Sequence, residues 1–159
     1  MAAKSTADKV PLWTLVLAAY SNDVLKLGFK IVGLESDSAS YMDIKRGVIL
    51  LFPGNIPWSH GLFMSVVWSI LAAVIAYLIY RNRRIASTFG IVVISHWLLD
   101  FIVHPPELPL LFNGSPITGL GLWSSSTGFL IAMILEATML AGGLALYVNH
   151  NIEKAFLGS

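Results

Sequence analysis

The sequence predicts an all-α integral membrane protein, a bundle of four helices forming one domain over residues 1–159. Three observations carry that expectation. Hydrophobic residues make up 56% of the chain and charged residues 12%, against about 25% charged in an ordinary soluble domain. Several runs are long and apolar enough to cross a bilayer. The few acids and imidazoles inside those runs recur toward the same end of each. The net charge of +1 provides no basic surface for nucleic acid. There is no cysteine, which excludes disulfides, thiolate metal sites and cysteine nucleophiles together. The opening MAAKSTADKV is polar and lacks the apolar stretch of a cleavable signal.

The first span is expected over residues 11–34. Its apolar flanks, PLWTLVLAAY and IVGL, enclose Asp23, Lys26 and Lys30, so it reads as a helix packed on its neighbours. A long connection, 35–57, follows. Its apolar GVILLFPGNI is too short to span and reads as interfacial or re-entrant. The second span, 58–80, contains no residue costlier to bury than His60. Pro57 suits a first helical position and Asn55 a cap, which puts His60 in the first turn. There the positive helix end favours the neutral imidazole that binds metals. The third span, 85–103, matches a hydrocarbon core of about 30 Å at about 1.5 Å per residue. Pro105 and Pro106 follow it. A residue before proline avoids the α region, so His104 is expected where the helix breaks. The connection 105–126 is rich in Pro, Gly and Ser and reads as an ordered cap or lid. The fourth span, 127–148, has Glu136 as its single ionisable group, and its AGGLA reads as a close helix contact. His150 falls in a polar tail.

Orientation follows from the RNRR turn at 81–84, which the positive-inside rule assigns to the cytoplasm. Both termini are then inside, as Lys4, Lys9 and Lys154 agree, while Lys45 and Arg46 dissent. The two long connections face outward. Trp58, Trp97 and Trp123 fit interfacial anchoring or packing.

The chemistry sits in ISHWLLDFIVHPPE. Residues four apart on a helix advance about 40°, so His96, Asp100 and His104 share one face. The outer triplet members lie about 12 Å apart along a straight axis, too far for simple three-point binding. His60, Asp23 and Glu136 are expected at comparable depth, Glu136 about 14 Å from the outer end of its span. A charge at the bilayer centre costs at least about 2.5 kcal/mol, so such groups pair or serve a function. Histidine with carboxylate and no thiolate suits zinc first, with manganese or iron as alternatives. The expected ligands are His60, His96 and Asp100, with Asp23 joining or bridging. Such a metal activates water for hydrolysis, and Glu136 or His104 would move the proton.

Each residue also has a plainer reading. His96 and Asp100 can be a hydrogen-bonded pair inside the bundle. Asp23 and Lys26 can form an internal ion pair, and Lys30 can snorkel to the interface. In the functional reading, Lys26 and Lys30 clamp an anionic headgroup. Glu136 alone can bond a Ser or Trp across the bundle.

WSHG at a helix start and SHWLLDF in a later span resemble the bacterial membrane-bound metal-dependent hydrolases of the YdjM-like kind. LAAYSNDVLKLGFKIVGLE is similar to their first-helix segment, where a proline usually precedes the aspartate. Here Asn22 precedes Asp23. HPPELPL and GLGLW resemble a subgroup of these small four-helix inner-membrane proteins. The likeness covers roughly residues 11–148. It implies metal-site positions at Asp23, His60, His96 and Asp100. The His and Asp pattern is similar to that of zinc-dependent phospholipases C, implying a lipid phosphoester as substrate class.

The expected function is therefore metal-dependent hydrolysis of a lipid-soluble or membrane-anchored ester near the outer face of a bacterial inner membrane, with the lipid bilayer as surroundings. The alternatives are an ion, proton or small-solute transporter, a haem protein with His60 and His96 as axial ligands, and an accessory subunit whose polar cluster only sets helix register. Transport requires polar groups continuing inward, and Ser69, Ser87 and Thr88 supply few. Haem requires an apolar slot, which Asp23 and Asp100 oppose. Oligomeric state is not legible.

Overall fold

Two long helices form the centre of the computed structural model, which describes residues 10–36, 39–43, 48–52, 54–112, 114–138 and 141–142. The first expected span is a helix broken once, into α1 (Leu12–Ala19) and α2 (Ser21–Ile31). Tyr20 leaves helical geometry at φ −94° and ψ 9°. It still donates to the Val16 carbonyl at 3.1 Å and accepts from the Val24 amide at 3.1 Å, so the chain bends without separating. Gly33 ends α2 at φ +76°. Its amide meets the Lys30 carbonyl at 3.0 Å and the Leu34 amide meets that of Phe29 at 2.9 Å, a glycine C-cap that satisfies the last carbonyls.

The second and third expected spans are α3 (Leu62–Tyr80) and α4 (Arg83–Val103). Arg81 turns the chain in the left-handed region at φ 50°. The Asn82 side chain caps α4 by accepting from the Arg84 and Ile85 amides at 2.9 and 3.3 Å. The two helices approach closely at Gly90, where an added Cβ would lie 3.3 Å from Ala73 Cβ and 3.3 Å from the Ser69 carbonyl. Ser69 Oγ donates to the Gly90 carbonyl at 2.8 Å across this contact. Ile85, Val93 and Trp97 of α4 are buried.

Both helices are long and apolar enough to cross a membrane. Their large apolar side chains, among them Ile70, Ile79, Ile91 and Leu98, lie mostly on the outside. Left in water, each such side chain forgoes about 1.5–3 kcal/mol of burial. Facing hydrocarbon removes that cost.

The connection after α2 differs from its expected form. Val48–Phe52 is a strand, β2, paired antiparallel with β1 (Ala39–Asp43) in the register Ala39 to Phe52 and Asp43 to Val48. The run Val-Ile-Leu-Leu-Phe favours a pleated strand once a partner is available. Ser36 pairs with Asn55 at the base of this hairpin, its amide 3.1 Å from the Asn55 carbonyl. That pairing brings Glu35 beside residues 58–60.

The connection after α4 is ordered, as its composition implied. It contains the short pair β3 (Leu108–Pro109) and β4 (Ile117–Thr118), then a 3₁₀ turn at Leu122–Ser124. Leu120 and Gly121 donate their amides to the Phe101 and His104 carbonyls at 2.7 Å each. They satisfy carbonyls left open at the end of α4. Gly119 makes the approach possible, since a Cβ there would fall 2.4 Å from the Pro105 carbonyl oxygen. A further apolar helix, α5, covers Ser126–Thr138. The rest of the fourth expected span from 143 onward, His150, and Lys4, Lys9, Lys45, Arg46 and Lys154 lie outside the described residues.

Candidate metal centre

Three separate stretches bring ligand-capable side chains together. Asp23 comes from the first turn of α2, His60 from the turn preceding α3, and His96 and Asp100 from one face of α4. His60 Nε2 lies 3.4 Å from Asp23 Oδ1 and 3.5 Å from Asp100 Oδ2. His96 Nε2 lies 3.7 Å from Asp23 Oδ2 and 3.4 Å from Asp100 Oδ2. Asp23, His60 and His96 each offer an atom within 4.8 Å of the others, a group that could hold a metal ion. Asp100, expected as a ligand, contacts both imidazoles but is not part of that mutually close set.

These separations bear on two readings, hydrogen bonding and a shared ion. Direct N–H···O hydrogen bonds peak at about 2.9–3.0 Å. Donors around a tetrahedral ion with bonds of about 2.0–2.1 Å stand about 3.3–3.4 Å apart. The four contacts lie nearer the second figure. His96 Nε2 and Asp100 Oδ2 are also buried without a hydrogen-bond partner, and buried polar atoms are rarely left so. A shared ion satisfies both atoms at once. A His96–Asp100 hydrogen bond, the plainer reading, is not made.

His60 is held from behind. Its Nδ1 is 2.7 Å from Ser59 Oγ, and Ser59 Oγ donates to Glu35 Oε2 at 2.7 Å. The Ser59 proton is therefore committed to Glu35. The imidazole proton then sits on Nδ1, and the Nε2 lone pair faces the cluster. A ligating histidine usually has such a partner on its other nitrogen. Glu35 Oε1 also accepts the Trp58 and Ser59 amides, both at 2.8 Å. The buried Trp97 indole donates to the His60 carbonyl at 2.9 Å.

One expectation about His60 needs correction. It does not stand in the first helical turn, because α3 starts only at Leu62 after an extended Gly61. The chain from Ile56 to His60 closes a turn of its own, with the His60 amide 3.0 Å from the Ile56 carbonyl. Gly61 admits this turn, since a Cβ there would lie 2.4 Å from the Pro57 carbonyl oxygen. The tautomer of His60 is thus set by Ser59 rather than by a helix end.

His104 is the C-cap of α4, extended at φ −73° and ψ 145°, as its place before proline implied. Its Nδ1 meets Glu107 Oε1 at 2.6 Å, and its Nε2 is 3.9 Å from Asp100 Oδ1. The Trp123 ring covers it, centroids 4.8 Å apart. Asp100 thus turns one oxygen to the candidate ligands and the other toward His104. Asp23 is the open side of the site, its side chain 49% exposed against 5% for His60 and 15% for Asp100.

Lys26 is half-buried and Lys30 exposed, one and two turns beyond Asp23 on α2. Glu136 is exposed on α5, and none of the hydrogen bonds or ion pairs among the described residues ties it to the cluster. Asn22, fully buried beside Asp23, donates to Ser65 Oγ at 3.3 Å and leaves its Oδ1 without a partner.

Glu35, Ser59 and Glu107 escaped the sequence reading. Glu107, three residues beyond His104, and Ser59, adjacent to His60, were within reach of a local search. Glu35 had no local signal, because it meets Ser59 across 24 residues. No protein-family model, curated protein or solved structure matches the chain.

Proposed function

We propose that the chain is a metal-dependent membrane hydrolase acting on a lipid-soluble or membrane-anchored ester, a phosphoester above others. The proposal places the site near the outer face of a bacterial inner membrane, within a four-helix bundle whose termini are cytoplasmic, in keeping with the resemblance to YdjM-like proteins. The observation that carries it is the convergence of two imidazole nitrogens and two carboxylates at 3.4–3.7 Å.

His60, His96, Asp100 and Asp23 would hold the ion, and their nitrogen and oxygen donors suit zinc, with manganese or iron as alternatives. A divalent ion in this place supplies a Lewis acid that polarises a phosphoryl oxygen and acidifies water. The protein's own groups perform the remaining work. Glu107 holds the proton of His104 on Nδ1, leaving Nε2 to take a proton from the attacking water and return it to the departing alcohol. Such a group contributes about 10²–10⁴-fold to a rate. This role falls to His104 rather than to the exposed Glu136. Lys26 and Lys30, on the helix of Asp23, would attract an anionic headgroup.

The test is metal content by mass spectrometry on chelator-free, detergent-purified protein, beside a His96→Ala, Asp100→Ala double variant, followed by a screen of lipid phosphoesters. Stoichiometric metal that vanishes in the variant is expected. Wild-type protein without metal would sink the proposal and favour the accessory-subunit reading.

A further inference from the structure

A cleft of about 540 Å³ lies between the helices below the polar site, within the size range of small-molecule sites. Three walls descend from the candidate ligands. On α2, Val24 and Leu25 follow Asp23 directly, and the wall continues along α1 through Leu17. On α4, Val93 stands one turn from His96. On α3 the lining runs from Trp68 past Ala72 and Ile75 to Tyr80, about 18 Å at 1.5 Å per residue. That is close to one leaflet of a hydrocarbon core about 30 Å thick. Tyr80 and Phe89, their rings stacked at 6.2 Å, stand at the far end.

Three polar side chains of the lining have their partners elsewhere. Thr14 Oγ1 donates to the Pro11 carbonyl at 2.7 Å and Ser21 Oγ to the Ala18 carbonyl at 2.8 Å. The Trp68 indole donates to the Trp58 carbonyl at 2.7 Å. The walls thus suit an occupant that needs no hydrogen bonds, and Leu25 and Val93 of the lining lie within one turn of Asp23 and His96 along α2 and α4. We infer that the cleft holds one hydrocarbon chain of the lipid whose headgroup reaches the Asp23–His60–His96–Asp100 cluster. The inference rests on the hydrolase reading for its headgroup end, but the occupant of the cleft is testable without it.

The experiment labels full-length protein in vesicles with two diazirine lipids, a fatty-acyl phospholipid and a polyprenyl phosphate, and maps the adducts by mass spectrometry. Label from at least one probe is expected to concentrate on Leu25, Leu71 and Ile75 over the outward-facing Leu78, Ile91 and Leu98; the stronger probe identifies the chain type. Filling the cleft from either wall, with Ala72→Phe or Leu17→Trp, should abolish that excess while bound zinc stays at the wild-type level. In the His96→Ala, Asp100→Ala variant the excess should persist although zinc is lost. A uniform distribution over cleft and outward residues would overturn the inference and signify ordinary surrounding lipid. Photocrosslinks from a benzoylphenylalanine at position 75 to residues 139–159, or to a second copy, would also overturn it. If zinc is absent from wild-type protein yet the labelling excess remains, the hydrolase reading fails and the chain site stands.

Discussion

His60 and His104 are the same side chain in two neighbouring settings. Each has its Nδ1 engaged, His60 by Ser59 at 2.7 Å and His104 by Glu107 at 2.6 Å. Each turns Nε2 toward Asp100. His60 stands 3.5 Å from Oδ2 and also meets Asp23, while His104 stands 3.9 Å from Oδ1. His60 is 5% exposed and His104 27%. The backing of an imidazole therefore does not decide its role. What decides it is the number of further donors that converge on the free nitrogen, and how closed the place is. On the proposed function, His60 is a ligand and His104 the proton carrier beside it.

The sharpest way to break this comparison is to truncate both. His60→Ala should lower zinc affinity by more than about a hundredfold, beyond the 10–100-fold typical of outer partners, as read by chelator competition. His104→Ala should leave zinc bound and cut phosphoester turnover about 10²–10⁴-fold. Zinc loss in His104→Ala would make it a ligand and erase the distinction. Next in size is the backing of His60. Ser59→Ala removes the hydroxyl that holds the Nδ1 proton, and zinc affinity should fall about 10–100-fold. Glu107→Gln should leave zinc affinity unchanged and slow turnover less than His104→Ala does.

Acid supplies a finer test. Protons compete with a metal for imidazole and carboxylate, so zinc affinity should fall as pH is lowered. His104→Ala should leave that titration unmoved if His104 does not ligate, and equilibrium dialysis across a pH series reads the difference. The smallest expected change is structural. Ser69→Ala removes the bond to the Gly90 carbonyl at the α3–α4 seam and should cost about 0.5–1.5 kcal/mol of stability, with zinc content unaltered.

The helices were legible to different degrees. α3 and α4 appear near their expected spans because long uncharged runs leave the backbone little choice but to bond to itself. The break at Tyr20 was not legible, since no glycine or proline marks it and the apolar flank gives way there to Ser21, Asn22 and Asp23 without a breaker. The strand at Val48–Phe52 was misread because an apolar run of five suits a strand as well as a buried segment, and only pairing with Ala39–Asp43 decides. At the site, the His96–Asp100 face followed from helical spacing alone. Glu136 shared the expected depth, but depth does not say which way a helix is turned, and α5 leaves Glu136 exposed.

The sequence by itself determined that two long apolar helices exist, that His96 and Asp100 share a face, and that His104 stands where α4 must end. These are consequences of local geometry, of i to i+4 spacing and of proline sterics, and they need no distant partner. Only the tertiary structure decided that Asp23 and His60 reach that same face to within 3.4–3.7 Å, and that Glu35 backs His60 through Ser59. Those contacts join residues tens of positions apart. They depend on how helices rotate and approach, as at Gly90, and on how a connection folds back, as at Ser36 and Asn55, which no local rule of the chain sets.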